Sequence, residues 1–426
     1  MVAGKSTTYD VSHLYAYPRE PIRITNGEGI YAFDADGKKY IDCASGTFNL
    51  SLGYRHPEVV RAVIEAADGL IHVPTWFEVE AIDRLVEKIA AAAPPSLRRV
   101  HLKVTGGSTA NEGALKLAMR RTGGQDIIST FRSHHGQTLA LGAISGNAFR
   151  REPYPNIPLS KVTVPDAYCH RCFYREHPDS CGFLCVERID DFLEFASSGS
   201  IAAFIIEPIL GSGGNIVPPD GYLQRVREFC SQRNIPLIFD EVQTGVGRTG
   251  SMFAAQHFGV EPDILTTAKG LGGGSAAAAI LMKSEYVCED ASDLAFTYGA
   301  NLIAATVAYA TLSVIHNSDF LENVKTTGAH ILERLNSAKA TMPCIDDVRG
   351  VGLMIGAEIV DSRHRPSPNL ANHIAVTGRA FGLMLRTSRF GRGNVIKIRP
   401  PLILTLEEAD LLCDRLEQTI KEAVYA

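Results

Sequence analysis

Residues 263–280 have the sequence DILTTAKGLGGGSAAAAI. An apolar run of strand-forming residues ends at Ala268, and a single lysine, Lys269, follows it directly. Four glycines lie within the next five residues, and glycines leave room for a bulky ligand against the backbone. A lysine held at the end of a buried strand loses its proton readily and becomes a nucleophile. The alternative is an ordinary surface lysine beside a glycine turn.

Apolar segments of this kind alternate with helical patterns between about residue 58 and residue 310. The predicted buried strands are RRVHLKV (98–104), DIISTF (126–131), IAAFIIEP (201–208), IPLIFDEV (235–242) and PDILTTA (262–268). Such alternation predicts an α/β fold with a mostly parallel sheet that is covered by helices.

Three regions of the chain are predicted to form two domains. Residues 1–57 contain two short strands around an Asp36-Gly37 turn. Residues 58–310 form the large α/β domain, and residues 311–426 form a smaller α+β unit that the N-terminal segment joins. The last helix begins at Thr405 with a capping box to Glu408.

Composition excludes several classes of function. The 426 residues carry a formal net charge of -5, so the chain has no basic footprint for nucleic acid. No apolar run approaches the length of a membrane span, and the first fifteen residues lack the apolar core of a signal peptide. We therefore expect a cytoplasmic protein that binds neither nucleic acid nor membrane.

In an open parallel sheet, ligands bind beyond the carboxyl ends of the strands. The segment VTGGSTANEG (104–113) follows one predicted strand and begins a helix. Gly107, Ser108 and Thr109 would present backbone N–H groups and hydroxyls at the positive end of that helix, which is a suitable cup for a phosphate. A Thr109–Glu112 capping box is predicted there. The alternative is simply a well-capped helix after a tight turn.

The segment IPLIFDEVQTGVGRTG (235–250) ends a second strand with Asp240. A buried unpaired carboxylate is costly, so Asp240 either bonds the neighbouring loop or faces a cationic ring nitrogen of a ligand. The same segment contains the pattern G-x-G-x-x-G, with Asp263 downstream. That pattern is the basis of an alternative, an NAD-dependent dehydrogenase. The glycines do not follow the strand directly, which argues against a dinucleotide fold.

A phosphate cup, a carboxylate for a ring nitrogen and a reactive lysine together describe one cofactor, pyridoxal phosphate. This cofactor forms a Schiff base with a lysine and needs an acidic partner at its pyridine nitrogen.

Motifs across nearly the whole chain resemble those of the class III aminotransferases, the ornithine and 4-aminobutyrate group with the fold-type I architecture. The motifs are GGSTANEGALKLA (106–118), HHGQTLAL (134–141), FDEVQTGVGRTG (239–250), TTAKGLGGG (266–274), FTYGAN (296–301) and IKIRPPL (396–402). The resemblance implies a large domain with a seven-stranded sheet and a smaller domain built from both termini.

The resemblance also implies roles for residues around the cofactor ring. Lys269 forms the Schiff base and later moves a proton at the substrate carbon. Asp240 keeps the pyridine nitrogen protonated, Val242 packs on the ring face, and Gln243 hydrogen-bonds the phenolic oxygen. His134 occupies the position of the usual ring-stacking Tyr or Phe.

Further roles concern the phosphate. The resemblance implies that Gly107, Ser108 and Thr109 hold it, although Thr109 replaces a glutamate of the usual pattern. Thr297 is expected to reach the phosphate of a neighbouring subunit, which implies a homodimer with shared active sites.

Four residues are candidates for substrate binding: Glu207, Lys397, Arg399 and Trp76. Many family members carry an arginine for the substrate α-carboxylate where this chain has Lys397, and a lysine lacks the bidentate grip of an arginine. Glu207 usually pairs with that arginine, so here it is expected to pair with Lys397 or with a substrate amine.

The predicted function is transfer of an amino group from an amino-acid donor, plausibly glutamate, to an aldehyde or ketone acceptor. The missing arginine and the similarity of the whole chain favour an oxidised aminosugar of antibiotic biosynthesis as acceptor. A pyridoxal-phosphate epimerase, racemase or lyase on the same fold is the alternative, because these reactions share the same machinery.

A cluster of cysteines is not explained by this chemistry. Cys169, Cys172, Cys181 and Cys185 have the spacing C-x2-C-x8-C-x3-C, which is compatible with zinc or an iron–sulfur cluster. Reduced thiols or disulfides are the alternatives. In each case we expect a structural role and no catalytic metal.

Overall fold

The structure is a computed structural model that describes residues 22–152, 154, 159–287, 290 and 294–425. The predicted absence of a signal peptide, and residues 1–21 of the predicted N-terminal segment, lie outside these ranges. Among the described helices, none has both the length and the apolar character needed to cross a membrane.

The strands are β1 Ile24–Glu28, β2 Tyr31–Asp34, β3 Lys39–Asp42, β4 Arg99–His101, β5 Asp126–Thr130, β6 Lys161–Val164, β7 Ile201–Ile206, β8 Leu237–Asp240, β9 Ile264–Thr267, β10 Ala279–Met282, β11 Ile345–Val351, β12 Met354–Ile359, β13 Leu383–Met384, β14 Arg386–Thr387 and β15 Val395–Ile398.

The α-helices are α1 Ser45–Phe48, α2 Pro57–Asp68, α3 Glu80–Ala92, α4 Gly107–Thr122, α5 Leu139–Ile144, α6 Leu184–Glu187, α7 Ile189–Ala196, α8 Gly211–Gly214, α9 Tyr222–Gln232, α10 Ala254–Phe258, α11 Leu302–Ile315, α12 Ser318–Ala338, α13 Pro368–Thr377 and α14 Leu406–Tyr425.

The central sheet has seven strands in the order β4-β10-β9-β8-β7-β5-β6. The pairs from β9 through to β6 are parallel, and β10 runs antiparallel to both of its neighbours. This confirms the predicted α/β fold with a mostly parallel seven-stranded sheet. Every residue of β8 and β9 is buried, as expected for parallel strands that are covered on both faces.

Two four-stranded sheets lie outside the central one. In the first, β1, β2 and β3 form an antiparallel meander around the predicted Asp36-Gly37 turn, and β13 adds in parallel to β3. The second has the order β11-β12-β15-β14 and is antiparallel. The β3–β13 pair joins the N-terminal strands to the C-terminal part of the chain, while the domain boundaries at residues 57 and 310 stay predictions.

Helix α14 shows how local sequence determines an element. Thr405 N donates to the Glu408 carboxylate at 3.1 Å, and Glu408 N donates to the Thr405 hydroxyl at 3.2 Å. This confirms the predicted capping box. Leu412, Leu416 and Ile420 form the apolar stripe of α14, and all three are fully buried.

Candidate active site

Three adjacent parallel strands end at the same edge of the central sheet, and an ionisable side chain lies at or just after the end of each. Asp240 is the last residue of β8, Glu207 directly follows β7, and Lys269 lies two residues after β9. The register of β7, β8 and β9 aligns their carboxyl ends. Two carboxylates and one amine therefore lie at the edge where open α/β sheets bind ligands.

Lys269 is held in an unusual backbone conformation, with φ of 43°. Burial is the main cause that lowers the pKa of its amine to about 8. The charges of Asp240 and Glu207 oppose this shift, and the charge of Arg399 adds to it. A neutral amine near physiological pH is the form that attacks a carbonyl. The predicted chemistry of Lys269 thus has a physical basis in its surroundings.

Asp240 is buried and accepts hydrogen bonds from three groups. Its Oδ2 accepts from Asn111 Nδ2 and from His135 Nδ1, each at 2.8 Å, and its Oδ1 accepts from Val242 N at 3.1 Å. Asn111 in turn donates to His135 O at 2.7 Å and accepts from the Thr266 hydroxyl at 2.5 Å. These contacts fix the carboxylate at the site.

Sequence reasoning missed Asn111 and His135. Asn111 is a fully buried amide within α4, and a buried polar side chain in a helix needs partners. His135 lies beside the predicted His134 in the HHG motif. The signal was present, but the partner of each residue lies more than a hundred positions away in the chain.

Glu207 does not pair with Lys397, contrary to one of the two expectations. Its Oε1 accepts from His134 N at 2.8 Å and its Oε2 from Gly211 N at 3.0 Å. Among the described residues no ion pair of Lys397 is present. Burial, and then the charge of Asp240, raise the pKa of Glu207 to about 7.

His134 and Val242 could cover the two faces of a flat ring at this site. The His134 ring meets the Phe390 ring edge-on at 6.1 Å. Burial, followed by the charges of Arg150 and Lys269, lowers the pKa of His134 well below its ordinary value, so the ring stays neutral and suits stacking. Val242 is buried after β8, and a Cβ placed on Gly107 would lie 2.7 Å from its Cγ1.

The loop before α4 differs from the prediction in its capping. Gly106 is the residue that precedes the helix, so Thr109 occupies its third position. The Thr109 hydroxyl accepts from Thr105 N at 2.9 Å and from Gly106 N at 3.0 Å, and donates to Gly106 O at 2.9 Å. The Thr109–Glu112 capping box is therefore wrong, and Glu112 accepts from Thr138 instead.

This arrangement also explains the unusual threonine. At the third helical position, a glutamate would reach back to the N-cap backbone, and the Thr109 hydroxyl does the same here. The Thr109 hydroxyl is engaged by this backbone, so the group that Thr109 can offer to a phosphate is its backbone N–H. The first N–H groups of α4, from Gly107 to Thr109, have no intrahelical acceptor and point from the positive end of a sixteen-residue helix.

Gln243 and Arg399 meet directly. Arg399 Nη1 donates to Gln243 Oε1 at 3.1 Å. Lys397 lies on β15 opposite Arg386 of β14, and burial and the charges of Arg399 and Arg386 lower its pKa well below the ordinary value. The structure thus places Lys397 near Lys269, whose charge also lowers this pKa.

Two predicted residues are not brought to the site within one chain. Trp76 is 81% exposed, in the loop between α2 and α3, and contacts the Phe77 ring. Thr297 is also exposed, in the turn before α11.

The glycine pattern of the dehydrogenase alternative does not form a dinucleotide site. The next helix after β8 is α10, which begins at Ala254, beyond the whole pattern. Arg248, within the pattern, is fully buried and donates to Leu353 O at 3.1 Å and to Pro400 O at 2.6 Å. The glycines therefore serve a packed loop, not a strand-to-helix turn around a pyrophosphate.

The four clustered cysteines line one small cleft, together with Tyr174 and Phe183. All four are free thiols. Burial, and then neighbouring thiols, raise the pKa of Cys185 to about 12. Among the described residues, the potential metal ligands found within 4.8 Å of one another are His170, Asp346 and Glu358, and Arg171 pairs with both carboxylates. A structural metal at the thiols stays one of the alternatives, beside reduced thiols.

Comparison with known proteins agrees with this geometry. Residues 15–420 match the family Aminotransferase class-III. The chain is 35% identical to the acetylornithine aminotransferase of Methanothermobacter thermautotrophicus, over 96% of each protein. It is 34% identical to the leucine/methionine racemase of Thermococcus litoralis, over 94% of this chain and 91% of that protein.

A solved structure shows the same fold. An amine transaminase from an uncultivated Pseudomonas species, in its PLP-bound form, superposes with a TM-score of 0.88 at 28% identity, over 99% of this chain and 98% of that one. The fold and the edge of the sheet define a fold-type I enzyme that uses pyridoxal phosphate. The chain belongs to the class III aminotransferases.

The residues present fit pyridoxal phosphate. Asp240 is a buried carboxylate whose one ion-pair partner among the described residues is His135, so a protonated ring nitrogen would complete its surroundings. His134 Nδ1 is buried without a hydrogen-bond partner among the described residues, as expected for a ring that stacks. The start of α4 supplies phosphate donors, and Lys269 supplies the amine.

Proposed function

We propose that this enzyme transfers the amino group of an amino acid, with glutamate as donor, to a small aldehyde or ketone. The observation that carries the proposal is the placement of the Lys269 amine and the Asp240 carboxylate at the ends of the adjacent strands β9 and β8. The Lys397 amine, which lies near Lys269 and opposite Arg386 of β14, suits a substrate with a carboxylate. The names of relatives such as the diaminobutyrate–2-oxoglutarate aminotransferase of Haemophilus influenzae point to the same substrate class.

Each side chain has a defined task in this proposal. When bound, pyridoxal phosphate supplies an electron-accepting ring that stabilises negative charge at the substrate carbon. Lys269 holds the cofactor and, as an amine with a lowered pKa, takes and returns the proton of that carbon. Asp240 keeps a proton on the ring nitrogen, and its own position is fixed by Asn111 and His135.

The remaining residues bind and orient. Val242 and His134 cover the two faces of the ring. Gln243 bonds the phenolic oxygen, and Gly107 to Thr109 bind the phosphate through N–H groups and the Ser108 hydroxyl. Lys397 is the residue proposed to meet a substrate carboxylate, as a point charge without the bidentate geometry of an arginine.

A homodimer completes the proposed site. Between α2 and α3, and on α2 itself, seven large apolar side chains are exposed: Val60, Val63, Ile64, Leu70, Ile71, Trp76 and Phe77. A patch of this kind is typical of an interface. Thr297, which is exposed in one chain, would then reach the phosphate of the partner, and Trp76 would approach the substrate from across the interface.

A racemase is the second candidate. Two relatives favour it: the leucine/methionine racemase already described, and the alanine/serine racemase of Pyrococcus horikoshii at 32% identity over 95% of this chain. An aminosugar acceptor, a role in antibiotic assembly and a cytoplasmic location stay predictions from the sequence.

One experiment separates the two candidates. Cofactor-loaded enzyme is mixed with glutamate alone, and the 2-oxoglutarate formed is measured per active site. Separately, L-leucine, L-methionine, L-alanine and L-serine are incubated without any carbonyl acceptor and analysed for D-isomers. We expect about one oxo acid per site from glutamate, as in a single half-reaction, and no D-amino acid. Formation of D-isomers without oxo acid would establish the racemase, and the Lys269→Ala variant is the control for both assays.

A further inference from the structure

The contact between Arg399 and Gln243 determines how the glutamine amide is oriented. Arg399 Nη1 donates to Gln243 Oε1 at 3.1 Å. A guanidinium has donors and no acceptor, whereas an amide has one of each. The oxygen must therefore face Arg399, and the Gln243 Nε2–H groups must point elsewhere.

Arg399 is itself held firmly. Its backbone N donates to Cys43 O at 2.9 Å, and its carbonyl accepts from the Ser45 hydroxyl at 2.7 Å. The guanidinium carbon lies 4.1 Å from the centre of the Phe48 ring. The Arg248 guanidinium lies 4.7 Å from the centre of the same ring, so two guanidinium groups lie against one buried aromatic side chain.

The chain also makes room for the amide at this position. A Cβ placed on Gly211 would lie 2.5 Å from Gln243 Oε1. The same glycine donates its N–H to Glu207. Gln243 is therefore confined between the backbone of α8 and the guanidinium of Arg399, and a small change on either side would displace it.

Arg399 is poorly placed to grip a substrate carboxylate, which was its predicted role. A bidentate grip needs either Nη1 with Nη2 or Nε with Nη2. Nη1 is used by Gln243, and Nε is buried without a partner among the described residues. The end-on fork is therefore engaged in part by Gln243, Nε keeps an unused N–H, and the side chain is only 5% exposed.

We propose that Arg399 is a positioning residue for Gln243 and not a substrate ligand. By holding Oε1, Arg399 presents the Nε2–H of Gln243 to the phenolic oxygen of the cofactor and prevents the amide from rotating. The inference rests on the proposed function, since it assigns Gln243 to that oxygen. This role differs from the sequence-based assignment of Arg399 to substrate binding.

A double-mutant cycle tests the coupling. The variants are Arg399→Lys, which keeps the positive charge, Gln243→Ala, and the pair together. The readout is the midpoint pH at which the visible absorbance of the lysine-bound cofactor changes. We expect Arg399→Lys to raise the midpoint by about one pH unit in the parent enzyme, comparable to the loss of one hydrogen bond with a charged partner. In the Gln243→Ala background the same change should have little effect.

Lys397→Met is the matched control, because Lys397 is a buried amine two residues away that makes no hydrogen bond to Gln243 among the described contacts. Its effect on the midpoint should be equal in both backgrounds. An Arg399→Lys effect that is equally large in both backgrounds would overturn the proposal.

Thermal unfolding of each variant checks that it is folded. If Arg399→Lys fails to fold, Arg399→Met, whose apolar side chain suits the buried surroundings, replaces it.

Kinetics give an independent test. If Arg399 is a positioning residue, Arg399→Lys should lower kcat to a similar degree for glutamate and for a primary amine that has no carboxylate. If Arg399 binds the substrate carboxylate, the same variant would instead raise KM for glutamate alone, and that result would contradict the proposal. If the parent enzyme binds no cofactor at all, the proposed function fails rather than the role of Arg399.

Discussion

At the scale of single residues, the site depends on an amine and two carboxylates that are removed from water together. Burial favours the neutral forms of Lys269 and Glu207. It lowers the pKa of Lys269 to about 8 and raises that of Glu207 to about 7. The opposite charges of Asp240 and Glu207 limit the shift at Lys269. The amine therefore gains and loses its proton near neutral pH, as a proton carrier must.

The pKa of Lys269 predicts how cofactor capture depends on pH. Only the neutral amine attacks the aldehyde, so the capture rate of cofactor-free enzyme should rise with pH and level off above about 8. An ordinary lysine, with a pKa of about 10.4, would still be gaining reactivity at that point. The measurement is the rate of visible absorbance growth after mixing with pyridoxal phosphate across the pH range.

Nα-acetyl-lysine, whose side-chain amine is free, is measured under the same conditions and corrects for ionisation of the cofactor itself. Above about pH 8, the rate for the enzyme divided by the rate for Nα-acetyl-lysine should fall, because the amine of Nα-acetyl-lysine continues to lose protons. A constant ratio would show that Lys269 ionises like an exposed lysine.

The main ionisable residues could be predicted from sequence because each lies at the end of a buried apolar strand or within two residues of it. Lys269 and Asp240 are examples, and sequence position alone places them at one edge of a parallel sheet. Asn111 and His135 could not be predicted in the same way, because their roles arise from contacts across the fold. For Arg399, the strand position predicted proximity to the site, but the direction of the guanidinium depends on Phe48 and Gln243.

At the scale of elements, the start of α4 has to approach the end of β8 closely. Helix α4 packs on β7, β9 and β10, and its first residue, Gly107, abuts Val242. A glycine is needed at position 107 because Val242 leaves no room for a Cβ, and not because the backbone has an unusual conformation there. The Gly-Gly-Ser-Thr pattern predicted a phosphate cup, but the capping partner was misplaced, because two adjacent glycines leave the first helical residue undefined in the sequence.

Gly107→Ala should weaken cofactor binding. The new Cβ would lie 2.7 Å from Val242 Cγ1, and overpacking of this kind costs about 1–3 kcal/mol. Either Val242 or the start of α4 must shift, and both are proposed to contact the cofactor. The dissociation constant of pyridoxal phosphate, measured by absorbance titration, should therefore rise by about ten-fold or more.

Gly106→Ala is the matched control one residue earlier. No atom lies within 4 Å of a Cβ at Gly106, and its φ of 176° is extended backbone that any residue adopts. Cofactor affinity should be close to that of the parent enzyme. Equal weakening by both variants would mean that the loop needs flexibility and not space at Gly107.

At the scale of the whole molecule, five of the seven central strands were predicted from their apolar residues: β4, β5, β7, β8 and β9. The strands β6 and β10 were not predicted individually, and β6, with the sequence KVTV, alternates polar and apolar residues. The two outer sheets were harder to predict. The parallel pairing of β13 with β3 joins residues about 340 positions apart, and two-residue strands such as β13 and β14 carry too little pattern to be recognised. The same limit applies to Trp76 and Thr297, whose proposed partners belong to a second chain.

The proposed dimer can be tested by mixing two inactive variants. Lys269→Ala lacks the lysine, and Thr297→Asp places a negative charge where the partner's phosphate is expected. If each site combines Lys269 of one subunit with Thr297 of the other, a mixed dimer contains one intact site and one doubly altered site. Co-expression of the two variants, with different affinity tags, should therefore restore activity that neither variant has alone.

Absence of restored activity in a purified mixed dimer would show that both residues act within one chain. Size-exclusion chromatography of each variant confirms that the dimer is retained.

The central claim is that Lys269 is the residue to which pyridoxal phosphate is attached. The most direct measurement is borohydride reduction of the cofactor-loaded enzyme, followed by protease digestion and peptide mass analysis, with Lys269→Ala as control. We predict one modified peptide, spanning the TTAKGLGGG segment, with the cofactor mass on Lys269 and no stable adduct in the variant. A cofactor adduct on another lysine, or an unmodified Lys269 in an enzyme that turns over, would contradict the account.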